Sequence, residues 1–127
     1  MELLTYSFEK LEAWKKAKDF AKSVYSATQN FPKNEQFGLT QQLRRAAISI
    51  TSNIAEGTGR RSPKDKAHFS VMAFASLLEI VNLLIMAHEL GLIDEKAYKA
   101  LRSQAQETSY MINALFRFQN SAANKKT

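Results

Sequence analysis

The chain contains no cysteine, which excludes disulfides, thiolate nucleophiles and cysteine-based zinc sites. Freedom from disulfides fits a reducing compartment, and the cytoplasm is the expected location. Glycine and proline are scarce, at four and two, too few to turn a many-stranded fold, and no segment alternates polar and apolar residues with a period of two. Acids are outnumbered as well: 12 Asp plus Glu stand against 18 Lys plus Arg, giving a formal charge of +6. Such an excess attracts polyanions and aids solubility, and it says nothing about fold. The opening Met1-Glu2-Leu3-Leu4-Thr5 lacks a basic stretch followed by an apolar core, so no secretory leader is expected. One apolar run, Val71 to Ala87, raises the question of a membrane. It falls short of the roughly 20 residues a span requires and carries Glu79 and Asn82 at its middle, so no membrane association is expected.

What is present is enough chain for one domain, 1–127, and a strong helical period. A domain of this size buries about two-thirds of its unfolded surface and needs no metal to hold a core. Four amphipathic segments stand out, over 8–29, 40–57, 63–90 and 95–120, with a frayed tail over 121–127. The first carries Leu11, Trp14, Ala17, Ala21, Val24, Tyr25 and Thr28 at three-four spacing. The second carries Leu43, Ala46, Ala47, Ile50 and Ile54, with Thr40 as its expected N-cap and Gly57 as its expected left-handed end. Ser62-Pro63-Lys64-Asp65 reads as a capping box with proline at the first helical position, Gly91 ends that segment, and Asp94 caps the fourth. The stripe of the fourth is Ala97, Leu101, Ala105, Thr108, Ile112, Leu115 and Phe116. Short connections predict an all-α, antiparallel up-down four-helix bundle.

The third segment is apolar nearly all round. One stripe runs through Phe69, Met72, Ala73, Ser76, Ile80, Leu83, Ala87 and Leu90; a second runs through Val71, Phe74, Leu78, Val81 and Ile85. In a four-helix monomer each helix keeps one wet face, so the second stripe predicts an interface in a closed homo-oligomer. The alternative is cover by the loops or by the Met1 to Ser7 arm.

Chemical motifs are few. A di-iron bundle site needs two Glu-x-x-His pairs. The nearest match, Asp65-x-x-His68, occurs once at a helix start, and His88 has no partner at that spacing, so no metal or other cofactor is expected. Gly57-Thr58-Gly59 lacks the remainder of a phosphate-binding loop. Arg61 and His68 match the loose Arg-x(4–6)-His pattern of some all-helical ribonucleases, but Pro63 lies between them and places the pair across a helix start. No catalytic residue is assigned. Asn53, Glu56 and Glu79 sit among apolar positions, where an unpaired carboxylate is costly. They are expected to form a structural polar network with Arg45 across helices, rather than an acid pair for catalysis.

The basic residues are concentrated early: residues 1–66 hold twelve Lys and Arg against seven acids, residues 67–127 six against five. Lys15, Lys18 and Lys22 line one stripe of the first segment, and Arg60, Arg61, Lys64 and Lys66 cluster at the start of the third. Both groups suit a phosphate backbone. The lysine stripe is read as having no aromatic residues interleaved on it, so base stacking on single strands is not expected.

The stretch from Gln42 to Gly57, Gln-Leu-Arg-Arg-Ala-Ala-Ile-Ser-Ile-Thr-Ser-Asn-Ile-Ala-Glu-Gly, closely resembles the signature of bacterial four-helix bundle proteins encoded in intervening sequences of 23S ribosomal RNA genes. Phe8-Glu9-Lys10-Leu11, Trp14, Ala17, Tyr25, Phe31-Pro32, Glu35, Phe37-Gly38-Leu39-Thr40, Gly59-Arg60 and Ser76-Leu77-x-Glu79 follow in the family's order, so the resemblance covers about 8–118. The chain departs from the pattern at Ala75, where the family usually has glycine, and at Val81, where it often has a second acid. The resemblance implies a four-helix bundle related to the barrel-forming accessory protein of diversity-generating retroelements. Those relatives form basic homopentamers that bind nucleic acid and a reverse transcriptase. A cyclic homo-oligomer, pentamer first, that binds RNA or DNA without catalysis is therefore the expectation. A protein-interaction scaffold is the alternative, and a ribonuclease using Arg61 and His68 the remote one.

Overall fold

A computed structural model describes residues 1–125, with helices α1 (Glu12–Thr28), α2 (Gln41–Thr58), α3 (Pro63–Glu89) and α4 (Glu95–Asn124). Local capping chemistry sets several of the ends. The Ser62 Oγ accepts the Asp65 N–H at 3.1 Å ahead of Pro63, and the Asp94 carboxylate accepts the Ala97 N–H at 2.8 Å. Gly91 closes α3 at φ +76°, a left-handed conformation that favours glycine. Its N–H reaches the His88 carbonyl at 3.0 Å while that of Leu92 reaches Ala87 at 2.8 Å, the paired bonds of a Schellman motif.

Other boundaries differ from the sequence expectation. Residues Ser7–Lys10 form a separate 3-10 turn, closed by the Tyr6 N–H on the Glu9 carboxylate at 2.7 Å, and α1 begins only after an extended Leu11. Thr40 does not cap α2. It has helical dihedrals and is the last residue of a wide π turn over Gln36–Thr40, in which Gly38 kinks the backbone and Glu35 accepts the Leu39 N–H at 3.4 Å. Gly57 is not a left-handed end but a buried residue inside α2; its role is to let α3 approach. Residues 121–124 of the expected frayed tail are helical, continuing α4, while Lys126 and Thr127 lie outside the described residues.

α1 and α3 each pack on both α2 and α4, a closed ring of four. Cross-helix contacts fix the directions. Gly57 faces Phe69 and Ser49 meets Ser76 between α2 and α3, Ser70 meets Gln119 and His88 meets Glu95 between α3 and α4, and Thr28 meets Arg44 between α1 and α2. Between α2 and α3, and between α3 and α4, residue number falls on one helix as it rises on the next, so these neighbours are antiparallel. Phe20, Val24, Leu43, Ile50, Ile54, Ile80, Leu84 and Ile112 are fully buried, each worth about 1.5–3 kcal/mol over exposure. Ala17, Ala46, Ala47, Ala73, Ala87 and Ala105 fill the contact lines between helices with little volume.

α3 has the length and mean hydropathy (2.1 over its most apolar window) of a helix able to cross a membrane. Here Ala73, Leu77, Ile80, Leu83, Leu84 and Ala87 are buried in the bundle. The second apolar stripe stays open: Val71 is 49% exposed, Leu78 53% and Ile85 38%, with Phe74 and Val81 half-buried between them. The N-terminal arm does not cover it, because Met1 to Ser7 are themselves exposed and the Ser7–Lys10 turn packs on α1 and α2.

Candidate nucleic-acid interface

Lys15, Lys18 and Lys22 are all exposed on α1, as their spacing predicts. Lys15 is paired with Glu12 at 3.6 Å. Lys18 and Lys22 instead flank a cleft of about 410 Å³ between α1 and α2, together with Trp14, Tyr25, Ile48 and Thr51. The expectation that no aromatic accompanies these lysines does not hold in three dimensions. Trp14 lies four residues before Lys18 and Tyr25 three after Lys22, so the helical period puts rings and cations on one face. The Lys18 ammonium stands 5.1 Å from the Trp14 ring.

A second cleft of about 580 Å³ adjoins the first, sharing Tyr25 and Ile48 and adding Phe37, Arg44, Arg45 and Ser49. Arg44 is the residue that sequence reasoning missed. Its guanidinium lies 4.7 Å from the Tyr25 ring, held by Nε donation to Thr28 Oγ1 at 2.9 Å and Nη2 donation to the Tyr25 carbonyl at 3.3 Å. Among the described residues no carboxylate lines either cleft.

Arg60, Arg61, Lys64 and Lys66 gather at the turn from α2 to α3, roughly 24 Å along α2 from Arg44 at 1.5 Å per residue. The Arg60 guanidinium sits 4.5 Å from the Phe69 ring. Arg61 and Lys64 are exposed, and Lys66 is half-buried beside Leu11, Thr58 and Gln119. The seven basic residues thus form two groups rather than one patch. Apart from Lys15, none of them is in an ion pair among the described residues, and the same is true of Arg44 and Arg45.

The expected network of Arg45, Asn53, Glu56 and Glu79 does not form. Arg45, Glu56 and Glu79 are exposed, where water solvates their charge, and among the described residues no ion pair joins them. Only Asn53 is in a protein network: its Nδ2 donates to the Ser49 carbonyl at 2.9 Å and Oγ at 3.1 Å, and the Ser49 and Ser76 hydroxyls bond at 2.8 Å across α2 and α3. Arg45 and Glu79 line a shallow cleft with Gln42 and Ser49. His68 is exposed and edge-on to Phe69 at 6.2 Å. His88 bonds Glu95 at 2.9 Å and stacks on Tyr98 at 4.2 Å. Among the described residues no group of three or more His, Asp or Glu could hold a metal ion.

The family model of the 23S rRNA-intervening sequence proteins matches residues 9–114. The chain belongs to that family. A crystal structure of a protein of unknown function from the S23 ribosomal protein family, from Bacteroides thetaiotaomicron VPI-5482, superimposes with a TM-score of 0.73 at 20% identity, over 82% of this chain and 97% of that one. At that identity the likeness is one of fold. No curated protein matches the chain.

In this member of the 23S rRNA-intervening sequence family, the stretch from Gln42 to Gly57 forms most of α2. Leu43, Ala46, Ala47, Ile50, Ile54 and Gly57 are its buried face, and Arg45, Ile48, Ser52 and Glu56 face outward. Of the two departures, Ala75 is exposed on α3, and Val81 joins the open stripe of that helix.

Proposed function

We propose that the protein is a non-enzymatic, homo-oligomeric four-helix bundle of the cytoplasm that binds RNA or DNA through its basic surface, without strong sequence specificity and without a membrane. The observation that carries this is the set of cations free of ion pairs. Lys18, Lys22 and Arg44 line clefts with no carboxylate among their described residues, Arg45 stands between one of these clefts and a shallower one that holds Glu79, and Arg60, Arg61 and Lys64 add a second group at the α2–α3 turn. Cations without partners have counterions to release when phosphates replace them. Lack of specificity follows from the same chemistry, since contacts to phosphate position a chain and carry no sequence.

The test is a titration of structured RNA across a salt series. Binding at low salt is expected, with log K falling linearly as log salt rises, and Arg60→Gln/Arg61→Gln/Lys64→Gln is expected to flatten the slope by about two to three. Undetectable binding at low salt, or affinity indifferent to salt, overturns the proposal in favour of a protein-interaction scaffold. The same RNA is expected to stay intact; cleavage abolished by His68→Ala would establish the ribonuclease reading instead.

A further inference from the structure

Along the seam between α1 and α2, aromatic rings alternate with cations free of ion pairs. Trp14 stands near one end beside Lys18, Tyr25 carries the Arg44 guanidinium on its face, and Phe37, 82% exposed, marks the other end. Trp14 and Tyr25 are separated by roughly 16 Å of helix at 1.5 Å per residue. The two clefts these rings line adjoin each other at Tyr25 and Ile48. Arg44 is ordered before any ligand arrives, because two hydrogen bonds hold its plane over Tyr25.

Cations alone would serve any polyanion. Rings spaced among them favour one class. Lysine and arginine follow the phosphates of a strand, while flat π-faces accept successive bases whatever their identity, and an arginine plane serves as such a platform too. A duplex keeps its bases stacked within and presents phosphates and groove edges. It has nothing to lay on Phe37.

We infer that the α1–α2 trough binds single-stranded nucleic acid, stacking bases on Phe37, on the Tyr25–Arg44 pair and on Trp14, with phosphates on Lys18, Lys22 and Arg45. This rests on the proposed nucleic-acid function and narrows it to unpaired strands at this seam.

Trp14 is the chain's single tryptophan, so its fluorescence reports directly on the trough. Short oligo(dT) and a blunt duplex of equal length are titrated into the full-length protein. Oligo(dT) is expected to quench Trp14 emission, with a salt slope near −2 if the three phosphate-binding cations engage. Phe37→Ala is expected to weaken oligo(dT) about tenfold and to leave duplex binding unchanged. An exposed side chain makes misfolding of this variant unexpected, and its circular dichroism checks that. Equal affinity for the two probes with Phe37→Ala silent overturns the single-strand inference but leaves the basic-surface reading standing. Binding of neither probe at low salt overturns both. Displacement of oligo(dT) by polyglutamate of equal charge marks a site for bare polyanions, and a changed particle mass of Phe37→Ala marks a subunit contact. Either result also overturns the inference.

Discussion

Gly57 and Phe69 meet where α2 leans on α3, and a methyl group on Gly57 would stand 2.9 Å from the Phe69 Cβ. That neighbour is fixed to the α3 backbone, so the helices must part to admit it. Overpacking of this kind costs about 1–3 kcal/mol, against a gain in helix propensity of about 1 kcal/mol for replacing glycine. Gly57→Ala is therefore expected to destabilise by about 1 kcal/mol in a urea melt. Gly59 is the control. It ends α2 with right-handed dihedrals, and a methyl group there would come no closer than 3.5 Å to the Glu56 carbonyl. Gly59→Ala is expected to be neutral or stabilising by up to about 1 kcal/mol, through the unfolded state. If both variants melt alike, the close approach does not explain Gly57. The sequence reading placed Gly57 at a helix end because glycine is the commonest terminator; tight contact with a residue of another helix leaves no local signature.

At the scale of elements, α3 and α4 are locked by a buried side-chain pair as well as by apolar contact. The Ser70 Oγ donates to Gln119 Oε1 at 2.6 Å, with both residues buried. Removing one partner leaves the other's polar atom unsatisfied away from water, which costs about 1–3 kcal/mol. Ser70→Ala is expected to lose about that much stability, while Ser70→Ala/Gln119→Leu is expected to recover part of it, as a thermal double-mutant cycle would show. Additive losses would mean that the two residues do not act as a pair. The same pair bears on legibility. The caps at Ser62 and Asp94 and the end at Gly91 were readable because the residues that decide them are within a turn of one another. The four-helix architecture was readable because the apolar stripes recur over long segments. The network between Ser49, Asn53 and Ser76, the Ser70–Gln119 pair and the stacking of Arg44 on Tyr25 were not, since each joins helices whose rotation only packing determines. The carboxylates Glu56 and Glu79 misled for the same reason: apolar neighbours along the chain did not mean apolar surroundings in space.

For the whole molecule, the open stripe on α3 decides most. Val71, Phe74, Leu78, Val81 and Ile85 repeat at three-four-three-four, the spacing of a helix seam that packs against another helix. The stripe spans roughly 21 Å at 1.5 Å per residue, with Val71, Leu78 and Ile85 exposed along it. Leu78 is at its middle, so Leu78→Asp puts a carboxylate where a subunit contact would have to desolvate it. In a lone bundle the site is exposed, and the change should alter stability by no more than about 0.5 kcal/mol. Light scattering of the wild type is expected to give a multiple of 14.4 kDa, and of Leu78→Asp the single-chain mass, with an unchanged helical spectrum. Assembly also multiplies charge: five copies at +6 each would carry +30 on one particle. Several weak basic sites on one particle bind a long strand together, and avidity of about 10²–10⁴ is then available. Leu78→Asp should accordingly lose affinity for long RNA while keeping its affinity for an oligonucleotide short enough to occupy one subunit. A wild type that stays at 14.4 kDa across concentration would leave the stripe without a partner copy and the charge at +6. Loss of both long and short binding in a folded Leu78→Asp would instead move the nucleic-acid surface onto α3 itself.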